Sequence, residues 1–325
     1  MFVESIYGIS NWKLVIRRDS DHIEILRAVS CDTDAVLPDE LFGLPVTILG
    51  RHALAPSAAP VSGEEIRIVC GAEGEWDNRN IRSLTFPAPL TDVCAYALYG
   101  CRSLNTLHLH DDVARWGGGC LMNCGQLRRL HLTRTSGRQG EALAFLCGEL
   151  HDELDVSIYT ADGSEARLLF PDYAEAYEEN FANHHFDYSI MGGGFPYHHI
   201  FRSKQLDISA YDDIWDKYLS HDHDADTAIR LAYYRLRCPV ELKYDAREKY
   251  AAYLRRNAAA AILWQLSLRD SRGLILLLDE LSPDENALHL ACEQARREGN
   301  TEGLALLLER QRKNSNRGFD KDFEL

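Results

Sequence analysis

The sequence predicts an α+β protein in three parts: a short β-solenoid of leucine-rich coils, an acidic α+β segment and a C-terminal α-helical repeat domain. Three observations predict it. Strand-like segments recur at a spacing of 23 residues in the first third. After about residue 225 the apolar residues take up a helical i, i+3, i+4 period, and two leucine-rich helix patterns recur there at a spacing of 30. The 325 residues, 46% hydrophobic and 26% charged, suffice for two or three domains with buried cores and argue against a disordered chain.

The first elements precede the repeats. Trp12-Lys-Leu-Val-Ile16 and His22-Ile-Glu-Ile-Leu26 flank the polar Arg17-Arg-Asp-Ser-Asp21. They predict a hairpin that covers the apolar edge of the first coil. The repeats follow: Ile81-Arg-Ser-Leu84-Thr-Phe86, Leu104-Asn-Thr-Leu107-His-Leu109 and Leu127-Arg-Arg-Leu130-His-Leu132 stand in register. Between them Leu90, Val93, Ala97 and Leu98 recur as Val113, Trp116, Cys120 and Leu121, and Cys101 recurs as Cys124. Val46, Leu49, Ala53 and Leu54 form an earlier half-copy. One such coil cannot bury its own apolar face, so its inward residues must stack on the next coil. Residues 58–80 break the period and suggest a loop or an edge hairpin, with Ile66-Arg-Ile-Val69 alternating weakly.

The phrases Val36-Leu-Pro-Asp-Glu-Leu-Phe-Gly-Leu-Pro-Val-Thr-Ile-Leu-Gly50 and Ala97-Leu-Tyr-Gly-Cys-Arg-Ser-Leu104 resemble the BspA-type leucine-rich repeats of bacterial proteins, over about residues 30–135. The resemblance implies a leucine-rich-repeat β-solenoid. This chain departs from it in having Leu54, Leu98 and Leu121 where that family has phenylalanine, and Gly117-Gly-Gly119 in the third turn.

Side chains pointing out of the predicted strands form two rows across neighbouring coils. Ser83, Thr106 and Arg129 make one, and Thr85, His108 and His131 the other. Outward rows vary without disturbing the stacked core, so these six are the candidate partner-binding residues, with ordinary solvated side chains as the alternative. Cys101 and Cys124, at one repeat position, are expected to be buried and unreactive.

Residues 136–224 match no repeat. A helix is expected over 141–150, strands at Leu154-Asp-Val-Ser-Ile-Tyr159 and Ala166-Arg-Leu-Leu-Phe170 around an Asp162-Gly163 turn, and a second helix over 172–181 after Pro171. This segment could extend the solenoid sheet. It also holds His184-His185, His198-His199 and His221-Asp-His223-Asp-Ala-Asp226. His221, His223 and Asp226 are the candidate metal ligands, but no metal-ligand spacing accompanies them, and a solvated loop with an aspartate capping the next helix is the preferred reading. Gly192-Gly-Gly194, followed by Phe195-Pro196-Tyr197, suggests a plain turn between extended segments rather than a phosphate cradle. Phe181, Phe186, Tyr188, Phe195, Tyr197, Phe201, Tyr211, Trp215 and Tyr218 are expected mainly to fill core.

Residues 225–313 are expected to form helical hairpins with a boundary at Pro239. Asp270-Ser-Arg-Gly273-Leu-Ile-Leu-Leu-Leu278 repeats as Asn300-Thr-Glu-Gly303-Leu-Ala-Leu-Leu-Leu308, with Asp270 and Asn300 as N-caps. Asn286-Ala-Leu-His289-Leu-Ala-Cys292 before the second copy resembles an ankyrin repeat. Without the ankyrin turn residues, it implies only ankyrin- or HEAT-like hairpins. Residues 314–325 are expected to be a frayed tail.

The net charge of −15 is localised. Residues 1–135 carry 13 basic and 16 acidic side chains, residues 136–235 carry 7 and 19, and residues 236–325 carry 15 of each. The acidic balance argues against nucleic acid and anionic membrane as partners. There is no basic leader with an apolar run, no stretch of about 18 apolar residues, and nine cysteines include no C-x-x-C pair, so a cytoplasmic protein with reduced thiols is expected. No nucleophile elbow or paired carboxylates support an enzyme, and no cofactor is expected. The expected function is a non-enzymatic protein–protein interaction or scaffold protein. A basic partner would dock on the acidic middle segment. The alternative is a metal-binding protein or metal-dependent hydrolase using the middle-segment histidines and aspartates.

Overall fold

The computed structural model describes residues 2–4, 10–135, 140–180 and 185–321, with the backbone alone at 2–4, 178–180, 185–187 and 315–321. The chain divides into two compact units, Met1–Tyr211 and Asp212–Leu325.

The first unit is a β-solenoid of about six turns. Successive strands alternate between two sheets. A six-stranded sheet takes Asp34–Val36, Ser83–Thr85, Thr106–His110, Arg129–Arg134 and Leu154–Thr160 in parallel, then Glu165–Phe170 antiparallel at its edge. The other sheet takes the intervening Leu44–Leu49, Asp92–Val93 and Arg115–Trp116, again in parallel. In the last coil the helix Ala142–Glu149 stands in the corresponding place in the chain. The residues expected to stack do so: Leu84, Leu107, Leu109, Leu130 and Leu132 are buried, as are Val93, Leu98 and Leu121. Each contributes roughly 1.5–3 kcal/mol of apolar burial, which a lone coil could not supply.

The third side of each coil is a tight turn, and it explains the glycines of the third copy. His52, Tyr96 and Gly119 occupy the same coil position, all in the left-handed backbone region with φ of 56°, 59° and 64°. The His52 and Tyr96 rings stack at 5.1 Å, and the next coil leaves no room for a side chain: a Cβ on Gly119 would press on the Tyr96 ring. Gly117 lies so close to the Ala95 backbone that only glycine fits. Cys101 and Cys124 line the inside of these turns, with Sγ donating to the carbonyls of Leu54 at 3.5 Å and Leu98 at 3.2 Å. Burial pushes the Cys124 thiol up to about 12, so it stays protonated and inert. In the Leu44–Leu49 coil, Glu40–Leu41 folds back through a two-residue turn at Phe42-Gly43, both with positive φ as such a turn demands.

The ends are closed as expected and by more than expected. Trp12–Arg18 and Ile23–Ser30 form the capping hairpin. Residues 58–80 add the strand Glu64–Val69, paired antiparallel to Trp12–Arg18 with Leu14 opposite Ile66. Asn78 from the same segment is buried and stitches the cap to the first coils: Oδ1 accepts from Ser30 N at 3.0 Å, while Nδ2 donates to the carbonyls of Ala28 and Leu54. The two edges of the six-stranded sheet are also plugged. Ser10 Oγ accepts from Val36 N and Trp12 Nε1 donates to Val36 O at one edge. At the other, Tyr211 Oη accepts from Leu169 N and donates to Leu169 O. The outer backbone groups of Val36 and Leu169 are thereby unavailable to an added strand.

Two expectations for the middle segment are corrected. The helix expected over 172–181 is instead the strand Ala174–Asn180, which pairs with His185–Met191 in a separate two-stranded ribbon. Gly192-Gly-Gly194 does turn the chain, with φ of 88° at Gly192, but leads into the short helix Phe195–His198 and not an extended segment.

The second unit is helical, with hairpins Ala225–Arg237/Tyr244–Arg256, Ala258–Ser267/Ser271–Leu281 and Glu285–Arg297/Thr301–Lys321. The caps act as the sequence implies: Asp270 Oδ1 accepts from Gly273 N at 3.0 Å and Asn300 Oδ1 from Gly303 N at 2.9 Å. Ile262, Leu266, Leu274, Leu278, Leu288, Ala291, Cys292, Ala295 and Leu307 form its core. Gly273 recurs as Gly303 because a Cβ at either would collide, with Gln265 and Tyr233 in one case and with Leu266 and Asn300 in the other. The last helix runs on to Lys321, through much of the stretch expected to fray. No helix among the described residues is long and apolar enough to cross a membrane.

Candidate functional site

The parallel register of the six-stranded sheet brings all six predicted face residues together. Ser83 pairs with Thr106 and Thr106 with Arg129; Thr85 pairs with His108 and His108 with His131. Their neighbours along each strand are buried leucines, so alternation places these residues outward. Arg129 is exposed and the other five are half-buried by one another.

The in-register histidines make a ladder. The His108 and His131 rings stack face to face, 8° from parallel with centroids 4.4 Å apart, and His131 continues the stack onto Tyr159 at 6.0 Å. His131 Nδ1 lies 3.3 Å from Tyr159 Oη. Burial lowers the pKa of His108, partly offset by Asp34 at the edge of the sheet. Burial also lowers that of His131, and the neighbouring His108 lowers it further. Both rings are therefore neutral at pH 7. They present a flat, uncharged strip whose free ring nitrogens can donate or accept. Beside it, Arg167 makes a two-point pair with Asp155, at 3.0 and 2.7 Å, on the neighbouring strands.

Tyr159, Asp155 and Arg167 were not in the predicted rows. The strand that carries Asp155 and Tyr159 follows its predecessor at an offset of 26 residues, Leu130 to Val156 and Leu132 to Ile158, because the helix Ala142–Glu149 lengthens that coil. Its signal is the Leu154-x-Val156-x-Ile158 alternation, which lies outside the 23-residue period.

The candidate metal residues do not converge. His221 and His223 are turned to backbone, with Nδ1 2.7 Å from Lys217 O and 2.9 Å from His221 O. Asp224 caps the helix Ala225–Arg237 by accepting from Thr227 N at 2.7 Å, and Asp226 lies exposed in its first turn. Among the described residues no group of three or more His, Cys, Asp or Glu side chains could hold a metal ion. His198 is buried between two carbonyls, with Nδ1 and Nε2 each 2.9 Å from Cys147 O and Pro171 O. Phe181 and His184 lie outside the described residues. Of the aromatics, Tyr197, Tyr211, Trp215 and Tyr218 are core, whereas Tyr188 is exposed.

A cleft of about 550 Å³ runs beside Trp116 and Phe145, whose rings stack at 4.9 Å. Its basic groups are engaged, Arg115 by Asp92 and Lys204 by Glu141. The six-stranded face is the better candidate, since its register lines up outward polar groups and stacked rings across neighbouring coils. Comparison of the chain with protein-family models, with curated proteins and with solved structures finds no match.

Proposed function

We propose that this chain is a non-enzymatic protein-interaction protein that binds a partner protein through the outward face of its six-stranded sheet. The single observation carrying this reading is the in-register ladder of His108, His131 and Tyr159, flanked by Ser83, Thr85, Thr106 and Arg129. Stacking fixes these side chains before a partner arrives, which lowers the ordering cost of association. The solenoid is read as a leucine-rich repeat of the BspA type, on its 23-residue period and on the Phe42-Gly43 turn that leads into the Leu-Pro-Val-Thr phrase. The helical unit is read as ankyrin- or HEAT-like hairpins, on the repeated cap and glycine.

Affinity capture from an extract of the source organism tests the function. The wild-type chain retains a protein that the quadruple variant Thr106→Asp, His108→Asp, Arg129→Asp and His131→Asp does not. Capture unchanged by those substitutions would remove the sheet face from the account.

A further inference from the structure

The ribbon formed by Ala174–Asn180 and His185–Met191 belongs to neither solenoid sheet. Its base exposes apolar side chains that a folded protein ordinarily covers: Tyr177 at 69%, Met191 at 55%, Tyr188 at 49% and Ile190 at 38%. Tyr177 and Tyr188 are directly opposite in the register and their rings lie 5.0 Å apart, with Ile190 opposite Glu175 on the same face. Tyr177 Oη donates to Glu175 at 3.4 Å. An isolated two-stranded ribbon is marginal in water, and contiguous exposed apolar groups mark a surface that another molecule covers.

Its edges differ from those of the six-stranded sheet. There, Ser10, Trp12 and Tyr211 occupy the outer backbone groups of Val36 and Leu169. In the ribbon, the two strands pair only with each other among the described residues. An open edge is a template for an added strand.

Charge selects the occupant. Residues 174–191 carry Glu175, Glu178, Glu179 and Asp187 and no Lys or Arg. Several carboxylates elsewhere in the acidic stretch hold cations: Glu141 has Lys204, Asp155 has Arg167, Asp207 has Arg202, Asp212 has Arg235 and Asp216 has Lys249. A second copy of the ribbon would set carboxylates against carboxylates, which is unfavourable for paired strands. A basic segment meets the opposite sign.

We propose that the ribbon is a docking site for a basic, extended segment of a partner protein, which adds to it as a third strand. Alternate apolar residues of that segment cover Tyr177, Tyr188 and Ile190. The intervening Lys or Arg residues meet the acidic charge that the ribbon carries. This surface is distinct from the sheet face, and the inference stands even if that face binds nothing.

The test uses the full chain and a fluorescein-labelled peptide of alternating Lys and Val, followed by fluorescence anisotropy. Binding is expected, weakening as salt rises. The double variant Tyr177→Ser with Tyr188→Ser, which leaves the charge unchanged, is expected to weaken it about tenfold or more. A peptide of the same charge with Pro in place of alternate Val is expected to bind no better than the Lys–Val peptide binds the double variant, because proline cannot join the ladder. Both tyrosines are exposed, so a thermal melt of the double variant should match the wild type. Glu175→Lys provides a second variant expected to weaken binding. Equal binding by the double variant, by the proline peptide or by a Glu–Val peptide would overturn the proposal. So would a wild-type dimer in solution that the double variant makes monomeric, since the occupant would then be a second copy.

Discussion

Arg235 is wholly buried, and every direction its guanidinium points is met: Asp212 takes Nε and Nη2 at 2.8 and 2.9 Å, and the carbonyls of Cys238 and Val240 take Nη1 and Nη2. Tyr250 Oη donates to the same carboxylate. Removing one partner strands the other charge in the core. Arg235→Met is therefore expected to destabilise the chain by about 3–5 kcal/mol, read from its urea midpoint, and Arg235→Met with Asp212→Leu by less than either single change. Additive losses would contradict this. The histidines of the first unit set its acid sensitivity. Burial lowers the pKa of His108, His131 and His198 below the ordinary 6.5, so the unfolded chain binds more protons than the folded one as pH falls through that value. Stability is full above about pH 6.5 and is lost below it, whereas Asp92, Asp224 and Asp270, lowered from 3.8, lose theirs only in stronger acid. The urea midpoint should be lower at about pH 5.5 than at about pH 7.5, and the difference smaller with His108→Asn and His131→Asn. A midpoint level across that window would contradict these neutral rings.

At the scale of elements, what could be read from the chain was whatever repeats. Leu84, Leu107 and Leu130 recur at one spacing because each fills the same place over the coil before it. Asp270 and Asn300 recur because each leucine-rich helix needs its first amides satisfied. The same reasoning predicts that Asn300→Ala costs about 1 kcal/mol in a denaturant melt, and Asp270→Ala somewhat more, since Asp270 also holds Arg237. Equal or negligible losses would count against this view of the caps. What could not be read depended on a distant partner. Residues 174–180, Ala-Glu-Ala-Tyr-Glu-Glu-Asn, have local helix preference, but backbone pairing along the whole length of His185–Met191 decides the outcome. Asn78 looked like part of a loop because its three backbone partners, at Ser30, Ala28 and Leu54, are scattered along the chain. The two rows of the candidate face were legible in the 23-residue period. Tyr159, which extends the histidine stack, was not, since the helix before it shifts the offset to 26.

At the scale of the whole molecule, two stacked architectures in one chain bury their apolar faces between neighbours and leave extended surfaces outside. The acidity belongs mainly to residues 136–235, where several carboxylates hold cations of the same stretch and where the ribbon at 174–191 carries four acidic residues and no Lys or Arg. The central claim is that the sheet face bearing His108 and His131 contacts a partner protein. A photo-crosslinking residue placed at Thr106, in the middle of that face, tests it most directly, with the same residue at exposed Glu65 on the other sheet as control. Irradiation in the source cells should yield a discrete protein adduct from position 106 and not from position 65. An adduct pattern identical at both positions, or none from position 106, would contradict the account.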